Sequence, residues 1–303
     1  MPTLLDFRRR IRSVKNTQQI TRAMKFVAAA RLRRAQEKAL AARPYARQMA
    51  SVLRSAIARV ENFQHPLLTQ RPEKRVLLLV LTGDRGLCGA FNANVLRRAL
   101  EFLRQHKQAL PEVIPIGKKG RDTLRKQDWK FAVEYINVTT RVEFSKAQEI
   151  AAFVMGRYSR GESDAVSIVF NEFKSVLTQN LALEKLLPIE PESFAGTAKP
   201  KAPGEGTGEH PAEPRAAPVD YIYEQPPAEI LGRLLPKYVE VQVYRALLES
   251  SAAEHAARMT AMDSATNNAA EVIEQLTLHM NKVRQAAITK EIIEVVSGAV
   301  STA

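Results

Sequence analysis

Residues 7–60 read FRRRIRSVKNTQQITRAMKFVAAARLRRAQEKALAARPYARQMASVLRSAIARV, and this stretch decides the fold. Steps of four and three from Phe7 meet Ile11, Val14, Gln18, Thr21, Lys25, Ala28, Leu32, Ala35, Ala39, Ala42, Ala46, Met49, Leu53, Ala56 and Val60. That is a heptad seam of about eight repeats, interrupted by polar Gln18, Thr21 and Lys25. It predicts a helix roughly 85 Å long at 1.5 Å per residue. Pro44 removes a backbone donor and is expected to bend it.

A second seam lies at the other end of the chain, through Met262, Thr266, Ala269, Ile273, Leu276, Met280, Val283 and Ala287, with Val241, Tyr244 and Leu248 in step upstream. Pro226-Pro227 suits a helix start. From there to Gly298 the helix is expected to run roughly 105 Å, with Pro236 marking a break. Small residues let two axes approach closely, so the terminal helices are expected to pair antiparallel. The alternative, an ordinary bundle, needs more helix than the middle of the chain offers.

The middle reads as α/β. A continuous apolar strand at Arg75–Leu81 is followed by a glycine-rich turn and a helix over Asn94–His106. A strand at Glu112–Ile116, a helix at Lys118–Lys126, a third strand at Phe131–Val138, a helix at Glu143–Arg160 and a strand at Asp164–Phe170 follow, with Lys174–Ile189 as a hairpin arm. Alternation of this kind predicts a small, Rossmann-like, mostly parallel sheet. Pro191 to Pro218 holds six prolines and four glycines with almost no large apolar residue, a composition too poor in buriable surface to order itself. The expected organisation is a coiled-coil helix at 1–60, an α/β domain at 72–190, a flexible insert at 191–220 and a second coiled-coil helix at 226–303.

Charge sharpens this picture. The net +13 resides in residues 1–60, where 15 Lys and Arg face two acids, Asp6 and Glu37, while the rest of the chain is balanced. Such a segment is expected to meet an acidic partner, an anionic surface or nucleic acid. Arg31, Arg33 and Arg34 follow the apolar stretch Phe26–Ala30, but aromatic residues are few and no nucleic-acid-binding fold signature occurs. The single cysteine, Cys88, excludes an internal disulfide framework and a cysteine-based zinc site. No apolar run approaches the roughly 18 residues of a membrane span, and no signal-peptide pattern follows the early arginines. The expectation is a soluble intracellular protein, at most peripheral to a membrane.

Chemistry is hardly signalled. The turn Gly83-Asp84-Arg85-Gly86-Leu87-Cys88-Gly89 sits between strand and helix, where glycine amides can cradle a phosphate. Its Gly-x-x-Gly-x-x-Gly spacing lacks the Lys and Ser/Thr of a phosphate loop, so a tight structural turn is the main reading and nucleotide binding the lesser one. Cys88 has no histidine beside it and reads as a small buried residue. His65, His106, His210, His255 and His279 are scattered, and Glu271/Glu274 and Glu291/Glu294 read as helix-surface pairs. No metal, cofactor or catalytic group is expected. From Ile288 onward, Ile288, Ile292, Ile293, Val295, Val296 and Val300 cover more than one helix face, so this end is expected to protrude and sit in a partner's pocket.

Four stretches together are familiar: Met24-Lys25-Phe26-Val27-Ala28-Ala29-Ala30-Arg31-Leu32, the Gly83–Gly89 turn, Tyr238-Val239-Glu240-Val241-Gln242, and the run from Glu254-His255-Ala256-Ala257-Arg258-Met259 to Arg284-Gln285-Ala286-Ala287-Ile288-Thr289-Lys290-Glu291. The chain resembles the gamma subunit of the bacterial F-type ATP synthase over nearly its whole length, except 191–218. The resemblance implies a non-catalytic central shaft standing in a ring of three alpha and three beta subunits. It would touch epsilon, delta and the membrane ring of c subunits, peripheral to the cytoplasmic face of the inner membrane, and couple proton-driven rotation to ATP synthesis. It also implies that Met24, Lys25, Arg31, Arg33, Arg34, Arg284, Gln285, Ile288, Ile292 and Val296 meet the beta ring, and that Tyr221, Ile222, Tyr223 and Glu224 form a foot on the rotor ring. The sequence departs from the commoner pattern in three places. Phe26 stands where methionine is frequent, Gly83 replaces a common serine and is expected to loosen the turn, and the 191–218 insert is long and free of cysteine. Apart from the resemblance, the N-terminal charge leaves a nucleic-acid-binding coiled coil as the alternative, and the glycine turn a nucleotide-dependent enzyme.

Overall fold

The computed structural model describes residues 3–57, 65–189 and 226–301. Helix α1 spans Leu4–Ile57 and continues through Pro44. Its start is held by a reciprocal cap: the Asp6 amide donates to Thr3 Oγ1 at 3.3 Å, and the Thr3 amide donates back to Asp6 Oδ2 at 2.9 Å. The Thr3 amide and hydroxyl, both donating to Oδ2, hold the Asp6 carboxyl below its ordinary range. At the other end of the chain is α5, Pro227–Ser301, 75 residues long and unbroken at Pro236. Pro236 is the tenth residue of α5, so it costs the helix the one bond its missing N–H would have made to the Gly232 carbonyl.

The two helices lie antiparallel. Phe7 packs on His279 with ring centroids 5.0 Å apart, Thr21 Oγ1 meets Thr266 Oγ1 at 2.8 Å, Lys25 Nζ reaches Asp263 Oδ1 at 2.6 Å, and Arg43 Nε reaches Glu249 Oε1 at 2.8 Å. Every seam residue of α1 from Phe7 to Ala56, and every one of α5 from Met262 to Ala287, is buried or half-buried. The heptad spacing thus faces the partner helix along the whole pairing, polar layer included.

Between them the chain builds a four-stranded sheet from β1 (Val76–Leu81), β2 (Glu112–Ile116), β3 (Ala165–Phe173) and β4 (Gln179–Leu187), in the order β2-β1-β3-β4. β1 pairs parallel with both β2 and β3, and β4 returns antiparallel on β3. All six side chains of β1 are buried, as a central parallel strand covered on both faces requires. Leu77, Leu79 and Leu81 face one core with α4 (Phe144–Ser159) and the long helices; Val76, Leu78 and Val80 face the other with α2 (Phe91–Gln105). Trp129 packs against this second core. A short α3, Lys118–Arg125, follows β2.

One expected strand is missing. Residues 131–138 form only two isolated parallel bridges, Val113 with Phe131 and Ile116 with Tyr135. The edge of β2 facing them carries Val113, whose amide and carbonyl both bond, and then Pro115, whose carbonyl accepts from the Tyr135 amide but which has no N–H to return. A proline at that position interrupts the ladder, which resumes only where the Gly117 amide donates to the Tyr135 carbonyl at 2.8 Å. The expected insert at 191–218 lies outside the described residues. No helix is long and apolar enough to cross a membrane among them.

Candidate functional site

Two places on α5 stand apart from the ordinary seam. The first is a hub where the α/β unit docks. From Ala246 to Ala256 eleven consecutive residues are buried, so the helix is covered on every side, by α1 on one flank and by the sheet unit on the other. The ends of β1 and β3 point at this stretch. In an open α/β sheet the crevice beyond the carboxyl ends of the parallel strands is where a ligand binds; here α5 fills it.

The glycine turn explains how. A Cβ on Gly83 would sit 2.9 Å from the Glu254 carboxyl carbon, the Gly86 carbonyl accepts from Arg258 Nη2 at 3.4 Å, and a Cβ on Gly89 would lie 3.8 Å from that of Ala261. Steps of three along the turn match steps of four and three along α5, and at Gly83 a Cβ would crowd the helix, whereas the nearest atom to a Cβ on Gly86 is Lys119 Cε at 3.7 Å. The turn packs on a helix, which fits its reading as a structural turn. The place an anion would take at the start of α3 is filled by Asp84, which accepts from the Lys118 amide, the Asn137 amide and Thr139 Oγ1 at 3.0, 3.0 and 2.9 Å. Nor is the turn loose at Gly83: its amide donates to Asn92 Oδ1 at 2.8 Å and its carbonyl accepts from the Lys119 amide at 3.2 Å. Cys88 is buried against Leu32, Phe91 and Ala252, and burial raises its thiol pKa, which suits packing and not nucleophilic attack.

The hub also buries charge. Arg258 Nη2 donates to Glu254 Oε1 at 2.6 Å, and its Nη1 lies 3.4 Å from His255 Nδ1. A guanidinium only donates, so that ring nitrogen accepts and the imidazole is neutral. Burial first, then Arg258 and Arg31, lower the His255 pKa to about 4. Burial raises the Glu254 carboxyl, with Asp84 adding to the effect and Arg258 opposing it. One turn lower, Arg43 of α1 grips Glu249 with two bonds of 2.8 and 3.0 Å and gives a third, 2.8 Å long, to the Phe173 carbonyl; the Phe173 amide donates back to Glu249 Oε2 at 3.1 Å. The hydrogen bond to Glu249 raises the Arg43 pKa. These buried acids escaped the sequence reading, which saw carboxylates only on helix surfaces; their helical neighbours at i+4, as with Glu254 and Arg258, were the available signal.

The second place is the far end. α1 begins at Leu4, so α5 past Arg284 runs on without α1 beside it, for about 25 Å to Ser301. There Ile288, Ile292, Ile293, Val295 and Val296 are 48%, 58%, 59%, 73% and 57% exposed. A helix bare on all sides and apolar on most is unusual in water and marks a partner site.

The other residues implied to meet the beta ring are spread along the rod. Met24 and Lys25 stand opposite Asp263, whereas Arg284 and Gln285 lie some 21 residues further along α5, about 30 Å away. Lys25 bonds across the coil to Asp263 and so leaves the outward basic stripe. Arg31, Arg33 and Arg34 are exposed; Arg33 touches Glu37 at 3.3 Å, an exposed pair. Tyr221, Ile222, Tyr223 and Glu224 lie outside the described residues. Among the described residues no cluster of His, Cys, Asp and Glu could hold a metal ion.

Comparison with known proteins agrees with this geometry. A family model described as ATP synthase matches residues 3–301. The chain is 52% identical over 304 residues to the ATP synthase gamma chain of Solibacter usitatus, covering 99% of both chains, and 46% identical to that of Pelotomaculum thermopropionicum, again covering 99% of both. Among solved structures it is similar to a chain of the central stalk and c-ring of the Tetrahymena thermophila mitochondrial ATP synthase, with TM-score 0.58, 25% identity, and 81% of this chain and 99% of that one covered. A chain of the Euglena gracilis mitochondrial ATP synthase rotor shares the fold at TM-score 0.59 and 20% identity, over 94% and 98% of the two chains.

Proposed function

Because the chain belongs to the ATP synthase gamma-chain family, we propose a use for each of the surfaces described above. The protein is the central rotor shaft of its complex, and its work is mechanical. The ring of c subunits in the membrane turns it, and its asymmetric sides drive three catalytic beta subunits, set between three alpha subunits, through their nucleotide states. It contributes no group to ATP chemistry. The α/β unit lies toward the membrane with epsilon, at the cytoplasmic face of the inner membrane, and the complex includes delta; protons supply the drive.

The observation that carries this reading is the bare end of α5, which outruns α1 and exposes a run of branched apolar side chains. Residues Ile288, Ile292 and Val296 are the tip in an apolar bearing, with Arg284 and Gln285 at its entrance. Arg31, Arg33 and Arg34, and Met24 beside them, meet acidic loops of beta lower down. Charge attraction of this kind is strong in sign and loose in geometry, as a sliding contact needs. Tyr221 to Glu224 form the foot on the rotor ring. The basic stripe would serve nucleic acid equally well by charge alone, but nothing among the described residues offers a groove reader or a stacking platform.

Two measurements test the proposal. Native mass spectrometry of the complex is expected to show one copy of this chain with three alpha and three beta subunits; retention on DNA without those partners would refute it. Removing residues from 290 onward is expected to reduce torque and proton-coupled synthesis, and undiminished rotation in that truncation would remove the bearing.

A further inference from the structure

The α/β unit and the two-helix rod are joined mainly by apolar packing, in which Leu53, Ala56, Leu231, Leu235 and Val239 share a core with the sheet. Apolar burial is non-directional: it favours contact without fixing which groups must meet. At one point the joint is different in kind. Arg43 of α1, Glu249 of α5 and Phe173, the last residue of β3, close a ring of four bonds of 2.8, 3.0, 2.8 and 3.1 Å. Glu249 is buried, with 3% of its side chain exposed, and each of its oxygens is engaged. A bidentate guanidinium–carboxylate pair is directional as well as strong, and it keeps its strength where water is excluded.

We propose that the Arg43–Glu249–Phe173 ring is the slip-resistant joint through which twist passes between the α/β unit and the shaft, with Arg43 and Glu249 as positioning residues for coupling. It rests on the rotor reading. The ring locks three elements that are far apart in sequence, so neither long helix can roll against the sheet without breaking at least one of its bonds. Further polar links join the α/β unit to α5: Gln148 Nε2 donates to Glu240 at 3.0 Å, and Arg245 pairs with Glu184 of β4. The Arg43 ring adds α1, so both strands of the rod take the load together.

The experiment uses the complete ATP synthase in inverted membrane vesicles and measures ATP hydrolysis and proton pumping side by side. The double variant Arg43→Met with Glu249→Leu replaces the buried pair by apolar side chains of similar volume, an exchange that buried ion pairs tolerate without loss of fold. It is expected to hydrolyse ATP at close to the wild-type rate while protons pumped per ATP against a full gradient fall at least about twofold, since packing alone then carries the load. Arg43→Lys keeps the charge and loses the fork, and is expected to fall between the two. A merely structural role would change melting temperature and leave the pumping ratio untouched, so melting is recorded for each variant. Wild-type pumping ratios in both variants would overturn the joint. If the double variant fails to assemble, the ratio in Arg43→Lys decides alone. Absence of ATP-driven pumping with the unaltered chain would instead refute the rotor reading itself.

Discussion

Two stretches of one helix invert the usual rule of burial. Between Ala246 and Ala256, α5 hides Glu249, Ser250, Ser251, Glu254 and His255; between Ile288 and Val296 it shows isoleucine and valine to water. The buried stretch pairs its carboxylates inside the chain, through Arg43, Arg258 and the Phe173 backbone, and leaves only the Ser250 hydroxyl without a hydrogen-bond partner among its described side chains. Among the described residues nothing covers the exposed stretch. The contrast shows which part of the molecule is self-sufficient and which is made for an assembly.

Substitutions at the hub break that contrast most sharply. Glu249→Ala leaves the Arg43 guanidinium and the Phe173 amide without their acceptor, and is expected to destabilise the chain by about 3–5 kcal/mol in denaturant titration. Next comes acid. His255 has a pKa of about 4 in the fold against 6.5 when free. Its stabilising contribution is therefore complete above pH 6.5, falls away as pH drops through this window, and is exhausted near pH 4. The whole loss is about 3 kcal/mol. The raised Glu254 carboxyl works in the opposite direction, because its protonated form suits the fold. Melting His255→Gln beside the unaltered chain between pH 7 and pH 4 isolates the histidine, and parallel pH profiles would contradict the assignment. Smaller still is Gly83→Ala, whose new methyl group presses on the Glu254 carboxylate at the end of a movable side chain. About 1–3 kcal/mol is expected, read from the shift in melting temperature.

The smallest effect sharpens the comparison from the other side. Ile288→Ser, Ile292→Ser or Val296→Ser should leave the isolated chain within about 0.5 kcal/mol of its starting stability, as exposed positions do. The same changes should weaken the assembled complex, measured by dissociation of alpha and beta subunits on dilution. A stability loss in the isolated chain as large as that of Glu249→Ala would mean the end is covered from within.

The rod was legible because its signal is periodic: steps of four and three survive Gln18, Thr21 and Lys25 and still face the partner helix. The sheet was legible where strands are continuous and apolar, as in Val76–Leu81, and not where one proline decides the outcome, as at Pro115. What the glycine turn packs on could not be read at all. Gly83, Gly86 and Gly89 lie about 170 residues before Glu254, Arg258 and Ala261, and only the docking of the α/β unit on α5 brings them together. Buried charge was hidden for the same reason. Glu249 on a helix looks solvated until the sheet unit and Arg43 close over it. The bare end was legible because an excess of apolar residues over what one seam can hide is a count, independent of tertiary contacts.

Trp129 gives the molecule a built-in reporter. It is the chain's one tryptophan and lies against the core beneath α2, away from the hub. Helical circular dichroism comes chiefly from α1 and α5, with 54 and 75 residues against 15, 8 and 16 in the other α-helices. Emission therefore watches the sheet layer while ellipticity watches the long helices. Interlocked as the two parts are, their melting curves should superimpose, and every hub substitution that parts them can be followed by light alone, without attaching a dye.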